Sequence, residues 1–300
     1  MHERSLNRIL VVGGSGFLGL ATLAALEGVE VHSTYFHHRA QLEDVTWHAL
    51  DLMDSAATAA LVESVRPSHL IALGWQLSDR DHLEMAENLD WVRATLHLAR
   101  VFAATGGTRA VFAGTYAEYG VAEGILDESR APQPVSLYAV CKDAIHRVIA
   151  RAAVNLGISY AWARMFTVYG PHDADYRLIP YTLQRLLKGD EVRTTEGRQV
   201  RDFIHVADAG RALAMLATSD LTGPVNVGSG QGHPVREVVE LLGEATGRSE
   251  LLRIGAVQQA HGETQRIVAD VQRLRNIGWS PQFDLRSGLA ETVDWYRSRA

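Results

Sequence analysis

The sequence predicts an α/β fold in which a doubly wound parallel sheet is joined to a smaller, mixed α/β C-terminal lobe. In the first half of the 300-residue chain, short apolar runs alternate with helix-length amphipathic stretches, as in parallel strands connected by helices. After Arg164, glycines and prolines divide the chain into shorter segments. We therefore expect one domain over residues 1–165 and a second lobe over residues 166–300, with some interleaving of the chain.

The individual elements follow from this alternation. The apolar runs that predict strands lie at 8–12, 30–35, 45–51, 69–74, 109–114 and 158–165. The amphipathic stretches that predict helices lie at 17–28, 55–65, 82–105 and 136–156. Gly28, Pro67, Gly106 and Gly157 end or interrupt these helices. In such a sheet the strands end at one edge, and ligands bind there.

Composition and charge exclude several classes of protein. The net charge of -6 argues against recognition of nucleic-acid phosphates, because such domains are usually basic. Cys141 is the only cysteine, which rules out an internal disulfide and a multi-cysteine metal site, and we predict no metal. No apolar run reaches the roughly 18 residues of a membrane span, and the segment 1–8 has no signal-peptide pattern. We expect a cytoplasmic protein.

A glycine-rich turn follows the first predicted strand. Gly13, Gly16 and Gly19 recur at every third position. In dinucleotide-binding folds the first permits a tight turn, the second lets the backbone approach a pyrophosphate, and the third allows close helix–strand packing. Phe17 and Leu18 then open a helix whose amino terminus attracts phosphate. The alternative is a purely structural turn, but the strand–turn–helix context favours a Rossmann-type dinucleotide site.

The end of the second predicted strand bears on the choice of cofactor. Rossmann domains specific for NAD carry an acid there, which accepts hydrogen bonds from the adenosine ribose. This strand ends instead at Tyr35, and His38 and Arg39 follow, where they could face a 2'-phosphate. We predict NADPH, and NAD is the alternative if this segment is an ordinary solvated loop. After the third strand, Asp51 and Leu52 are predicted to contact the adenine, with helix capping by Asp51 as the alternative.

Tyr138 and Lys142 are the predicted centre of the chemistry. Their four-residue spacing places both side chains on one face of a predicted helix. An ammonium beside a phenol favours the phenolate, which helps tyrosine exchange a proton with a hydroxyl or carbonyl group. The pairing is unusual here, since Lys142 and Lys188 are the only lysines among 29 Lys and Arg residues. We predict that both residues also contact the cofactor.

Thr115 is the third predicted catalytic residue. It follows the apolar run 109–114 and so stands at the carboxyl end of a predicted parallel strand. Its hydroxyl could donate to a substrate oxygen on which charge develops. The alternative is a threonine that caps a turn.

These residues resemble the extended short-chain dehydrogenase/reductase family of the NAD-dependent epimerase/dehydratase type, which includes nucleotide-sugar epimerases, dehydratases and ketoreductases. The resemblance covers nearly all of the chain. It rests on the glycine turn, on Thr115 before Tyr119-Gly120, on Tyr138 with Lys142, and on the stretches 164–171 and 201–208. It implies a homologous fold, a nucleotide-sugar substrate, an Arg201 contact to the substrate diphosphate and a Glu263 contact to its ribose.

Departures from the family pattern bear on the substrate. The family usually has asparagine at the position of Thr167, a predicted substrate contact, and an arginine near Ala260. Arg177, Arg198 and Arg266 are candidates to replace that arginine, with an ordinary surface charge as the alternative for each. Dehydratases of the family follow their threonine with an Asp-Glu pair, whereas this chain has Tyr116-Ala117. The resemblance therefore favours reduction over dehydration, with Tyr116 beside the substrate.

Three functions compete at this point. The leading one is NADPH-dependent reduction of a nucleotide-activated 4-keto-6-deoxy sugar to the 4-hydroxy sugar. The alternative within the same family is a nucleotide-sugar 4-epimerase with tightly bound NAD. A non-catalytic cofactor sensor is the third, although a sensor has no need of Thr115, Tyr138 and Lys142. The predicted helices 82–105 and 136–156 suggest a homodimer through a helical bundle, or else they simply cover the sheet.

Overall fold

The computed structural model describes residues 8–76, 82–258 and 264–299. The strands are β1 (Arg8–Val12), β2 (Glu30–Tyr35), β3 (Val45–Ala49), β4 (His69–Ala72), β5 (Arg109–Thr115), β6 (Gly124–Leu126), β7 (Ser159–Met165), β8 (Thr167–Tyr169), β9 (Val192–Thr194), β10 (Val200–His205), β11 (Gly223–Val227), β12 (Gly232–Pro234), β13 (Leu252–Ile254) and β14 (Arg266–Ala269). The helices are α1 (Phe17–Ala24), α2 (Ser55–Val65), α3 (Asn88–Ala104), α4 (Leu137–Leu156), α5 (Leu178–Lys188), α6 (Val206–Thr218), α7 (Val235–Thr246), α8 (Gln272–Arg275) and α9 (Leu285–Arg297).

The larger sheet is the doubly wound parallel sheet that the sequence predicts. Its strand order is β11-β7-β5-β4-β1-β2-β3, and every pair is parallel. Alternation along β1 supplies both faces of the core: Ile9 packs on the side of α1 and α6, whereas Leu10 packs on the side of α2, α3 and α4. Both side chains are fully buried, as expected for a central strand covered on two faces.

The second half of the chain contributes to both sheets. Strand β11 closes one edge of the larger sheet, and α6 packs on α1. The approach of these helices is close, since a Cβ added to Gly210 would lie 2.4 Å from the carbonyl carbon of Ala21. The smaller sheet is mixed: β12 is antiparallel to β10, while β14 and β8 are parallel to it and β6 pairs with β14. A separate core joins this sheet to α5, α7 and α9.

The predicted helix over 82–105 starts too early, since α3 begins at Asn88. The side-chain amide of Asn88 donates to the carbonyls of His82 and Met85 at 2.8 Å each. These bonds occupy the carbonyls that a helix starting at residue 82 would use for its own backbone. The segment before Asn88 therefore forms turns.

Other predicted helices and strands extend too far at their carboxyl ends. The helix predicted over 17–28 ends at Ala24. The backbone nitrogen of Ala25 donates to the carbonyl oxygen of Thr22 at 3.1 Å, which is a bond of the 3₁₀ type that commonly ends an α-helix. The strands predicted over 45–51 and 69–74 end at residues 49 and 72. Strand β3 stops where β2, its one neighbour, ends, which leaves no partner for further ladder bonds. Strand β4 stops at its last pair with β1 and β5, although β5 continues to Thr115. Within the described ranges, no helix has the length and apolar character to cross a lipid bilayer.

Candidate active site

The candidate site lies where four parallel strands end side by side. The order of these strands is β5-β4-β1-β2. Strand β1 leads into the turn at Gly13, β2 ends at Tyr35, β4 is followed by Trp75, and β5 ends at Thr115. The sheet therefore brings the predicted cofactor turn and the predicted catalytic threonine to one edge, as ligand sites in open α/β sheets require.

The glycine turn has a geometry that fits a dinucleotide pyrophosphate. Gly13 has a φ of +85°, and a Cβ there would lie 2.9 Å from the backbone after β4. A Cβ on Gly19 would lie 2.3 Å from the carbonyl oxygen of Gly13, so α1 packs directly on the turn. Gly16 caps the amino end of α1, and Phe17 and Leu18 form its first turn against the core. The free backbone N–H groups of such a helix end bind phosphate oxygens.

The tip of β2 forms the adenosine end of the predicted cofactor site. Tyr35 is half-buried and packs edge-on against Trp47, with ring centroids 6.3 Å apart. His38 and Arg39 lie beyond the strand and are exposed. Their side chains are accessible to a ligand at this edge.

Asp51 and Leu52 follow β3 and differ in their surroundings. Asp51 is exposed, and its Oδ1 accepts a hydrogen bond from the backbone nitrogen of Met53 at 2.9 Å. The cap of α2 is Asp54, which accepts from two backbone nitrogens of the first turn. The alternative in which Asp51 caps this helix is therefore wrong. Leu52 is buried in the core that α2, α3 and α4 cover.

Tyr138, Lys142 and Thr115 meet at the carboxyl end of β5. The hydroxyl of Ser136 caps α4 and so places Tyr138 and Lys142 in its first two turns. Their exposed fractions are only 8 % and 6 %. The Thr115 side chain is near enough to Tyr138 to favour its phenolate, and the Nζ of Lys142 donates to the carbonyl oxygen of Ala113 at 2.9 Å. Helix and strand thus hold all three predicted catalytic groups together.

Trp75 is a site residue that the sequence analysis missed. The Nζ of Lys142 lies 3.9 Å from its ring centroid, which is a cation–π contact. The same ring packs edge-on against Tyr138, with centroids 5.8 Å apart. Trp91 stacks on it, and Asn88 accepts a hydrogen bond from its indole nitrogen at 3.1 Å. Its position just after a predicted strand was the available signal, because that is the ligand edge.

Burial acts on the proton affinities of this pair in opposite directions. It raises the pKa of the Tyr138 phenol well above its usual range, against the effect of the Thr115 side chain, which favours the phenolate. It lowers the pKa of Lys142 to about 7, against the negative charge of Glu118, which favours the ammonium. The phenol therefore keeps its proton at neutral pH, while the amine is poised to exchange one.

Glu118 and Arg164 form a buried ion pair next to Thr115. The Nε of Arg164 donates to Oε2 of Glu118 at 2.9 Å, and neither side chain is more than 1 % exposed. The backbone nitrogen of Thr115 donates to Oε1 at 2.9 Å, as does the indole nitrogen of Trp162. Burial raises the pKa of Glu118, and the guanidinium opposes that rise. The sequence analysis did not assign this pair to the site.

Two of the predicted substrate residues lie around Tyr138. The charge of Arg177 favours the Tyr138 phenolate, and its guanidinium pairs with Asp173 at 3.1 Å. Tyr116 begins the turn after β5 and acts electrostatically on the same phenol. The ring of His82 packs edge-on against Tyr138 at 5.7 Å, and the sequence analysis did not single it out.

The remaining predicted substrate residues lie on the smaller sheet or outside the described residues. Thr167 opens β8 and pairs with Phe203 of β10. Arg201, also on β10, is half-buried and donates to the carbonyl oxygen of the preceding residue at 3.0 Å. Both belong to the smaller sheet. Glu263 lies outside the described residues, as does Ala260.

Comparison with known proteins assigns the chain to a family. Residues 9–228, which include the glycine turn and all three residues at the end of β5, match the model of the NAD dependent epimerase/dehydratase family. The chain belongs to this family. The predicted resemblance is therefore confirmed, and the protein is an enzyme of the NAD-dependent epimerase/dehydratase type.

Relatives align along part or nearly all of the chain. A UDP-glucose 4-epimerase of Rhizobium meliloti is 25% identical over 325 aligned positions, covering 98% of each chain. A CDP-abequose synthase of Salmonella typhimurium is 32% identical over 143 positions, 45% of this chain and 48% of that protein. The Thermus thermophilus UDP-glucose 4-epimerase in complex with NAD superposes with a TM-score of 0.86 at 27% identity, over 98% of this chain and 100% of that one.

Proposed function

We propose that this enzyme reduces the 4-keto group of a nucleotide-linked 4-keto-6-deoxyhexose to a hydroxyl group. The observation that carries the proposal is the meeting of Thr115, Tyr138 and Lys142 at the cofactor edge. Two proton-donating side chains and a cation there suit a carbonyl that must gain one proton. Tyr116 and Ala117 stand where the family's dehydratases carry an acidic pair, which argues against elimination of water.

The chain supplies the proton for this reduction. When bound, the reduced nicotinamide supplies the hydride. The hydroxyl of Thr115 donates to the keto oxygen as negative charge develops on it, and Tyr138 transfers its phenolic proton to that oxygen. Lys142 is close enough to stabilise the phenolate that remains. The product therefore gains one C–H bond and one O–H bond.

We propose NADPH as the reductant, on the basis of the β2 tip. Tyr35 ends that strand in place of the acid typical of NAD-specific domains, and the exposed His38 and Arg39 are suited to a 2'-phosphate. NAD is the alternative, because several structural relatives were solved as complexes with NAD.

A second candidate is 4-epimerisation of a nucleotide sugar. The observation that favours it is the end-to-end similarity to UDP-glucose 4-epimerases of several bacteria. Such a reaction oxidises and then reduces one carbon, so Tyr138 would act first as base and then as acid. It produces no net change in the cofactor.

Incubation of the enzyme with NADPH and a panel of nucleotide-linked 4-keto-6-deoxyhexoses tests the proposal. We expect loss of absorbance at the nicotinamide band and formation of a 4-hydroxy sugar in equal amounts. The nucleotide must be varied, since Thr167 departs from the family pattern. If no sugar of the panel consumes the cofactor, while hexoses linked to UDP or dTDP interconvert at C4 without added cofactor, the epimerase replaces the reductase.

A further inference from the structure

The carboxylate of Glu118 is saturated with donors although it is inaccessible to solvent. Its exposed fraction is 0 %, and it accepts from the backbone of Thr115, from the indole of Trp162 and from the guanidinium of Arg164. The Thr115 hydroxyl accepts in turn from the backbone of Ala117 at 3.2 Å, which closes a capping box around the turn. These two bonds fix the orientation of the Thr115 backbone nitrogen and of its hydroxyl.

Charged and titratable groups face Glu118 from two elements. From β7 the group is Arg164, and from α4 they are Tyr138, Lys142, Asp143 and His146. One ligand atom each of Glu118, Asp143 and His146 lies within 4.8 Å of the others. Arg164 already supplies a positive charge to this cluster, which disfavours a metal cation there.

A structural role for this side chain would not require a charge. Burial of an ion pair costs several kcal/mol in desolvation, and an apolar or neutral replacement is often no less stable. Glutamine could still accept from Thr115 with its one carbonyl oxygen. We therefore attribute the negative charge of Glu118 to its electrostatic effect on neighbouring charged groups.

We propose that Glu118 is a positioning residue of the active site, whose buried charge stabilises the ammonium of Lys142 and whose bond to the Thr115 backbone aims the threonine hydroxyl. The Nζ of Lys142 is bonded to the carbonyl oxygen of Ala113, and Oε1 of Glu118 to the backbone nitrogen of Thr115, so both groups lie at the carboxyl end of β5. The other contact of Lys142, the ring of Trp75, is uncharged. The charge of Glu118 therefore favours the buried ammonium, while Arg164 offsets part of that charge.

The sign of the effect follows from the charge. A negative group beside Lys142 and Tyr138 raises the pKa of both, so its removal makes each lose its proton at lower pH. The consequence for turnover rests on the proposed function, in which Tyr138 must be protonated to act as acid. In that case the alkaline limb of the pH profile of kcat moves to lower pH in Glu118→Gln.

The test reads Lys142 directly and needs no substrate. Because Lys142 and Lys188 are the only lysines, protein labelled with 13C at lysine Cε gives two resonances, and Lys142→Met assigns them. We expect the pKa of Lys142 to be lower by about one pH unit in Glu118→Gln, the lower end of the range for a close charge. The pKa of Lys188 serves as the internal reference.

Two further variants complete the experiment. Glu128→Gln removes another partly buried carboxylate, one that accepts from the backbone of Asn226 at 2.8 Å, and should leave Lys142 unchanged. If Glu118→Gln alone does not fold, the double variant Glu118→Gln/Arg164→Gln is compared with Arg164→Gln, so that the two proteins differ only in the charge of Glu118. An unchanged Lys142 titration in a folded variant that lacks Glu118 overturns the proposal. If the pKa of Lys142 is lower in Glu118→Gln but the wild type reduces no sugar of the panel, only the proposed function is contradicted.

Discussion

At the scale of single residues, burial sets the chemistry of the site. The same loss of solvent raises the pKa of Tyr138, which stays a phenol, and lowers the pKa of Lys142 to about 7. The pairing could be predicted from sequence, because four-residue spacing on a helix is a local property. Trp75 and Glu118 could not be assigned in this way, since their roles depend on packing between segments far apart in the chain.

Replacement of Tyr138 by phenylalanine tests its role as the proton donor. We expect turnover to fall about a hundredfold or more, because general acid catalysis contributes at least that much. Folding and cofactor affinity should be nearly intact, since only one hydroxyl is lost. Steady-state kinetics and cofactor titration measure both. Tyr160→Phe, on a half-buried tyrosine near the amino end of β7, is the control. Activity of Tyr138→Phe within threefold of wild type would remove Tyr138 from this role.

The low pKa of Lys142 makes stability depend on pH. Unfolded lysine has a pKa of about 10.4, so above about pH 7 the unfolded chain binds more protons at this residue than the folded one. The free energy of unfolding therefore rises with pH through this window. Relative to Lys142→Met, we expect wild type to gain about 1 kcal/mol per pH unit between about pH 7 and about pH 9. Urea unfolding at several pH values measures this. A difference in the free energy of unfolding between the two proteins that does not change with pH would show that the pKa of Lys142 is not lowered.

At the scale of secondary structure, the helices and strands followed from periodicity but several of their ends did not. Glycine turns and capping residues are local signals, and α2 and α4 begin within one residue of the predicted positions. The start of α3 depends on the Asn88 side chain, which binds carbonyls that a periodic pattern does not reveal. The end of β3 depends on where β2, its one neighbour, stops.

The tip of β2 should determine the cofactor preference. We expect wild type to prefer NADPH over NADH, and Arg39→Ala to weaken use of NADPH alone, because a 2'-phosphate needs a cationic partner. The ratio of kcat/KM for the two cofactors is the measurement. Arg248→Ala removes another exposed arginine, at the end of α7, and should not change the ratio. Equal use of both cofactors by wild type would contradict the proposal.

Helices α3 and α4 are the proposed dimer surface. They pack on each other, and α4 exposes Val140 and Val148 by 44 % and 49 %. Burial of these side chains against a second copy would stabilise a four-helix contact. We expect a dimer by analytical ultracentrifugation, and a monomer for Val148→Lys. Val257→Lys, at an exposed loop valine, should remain dimeric. A wild type that is monomeric at all concentrations would exclude this surface.

At the scale of the whole molecule, the doubly wound sheet brings distant segments to one edge. The glycine turn after β1, Thr115 after β5 and the first turns of α4 come from three parts of the chain. The family and fold could be predicted because each of these parts carries a local motif. The substrate could not, since Thr167 and the segment at Ala260 depart from the family pattern.

The most direct test of the central claim is the stoichiometry of the reaction. With NADPH and a dTDP-linked 4-keto-6-deoxyhexose, or another nucleotide of the panel, we predict that one NADPH is consumed for each 4-hydroxy sugar formed. Nicotinamide absorbance and product analysis by mass spectrometry measure the two quantities in one sample. Interconversion of 4-hydroxy epimers with no consumption of NADPH across the whole panel would contradict the account.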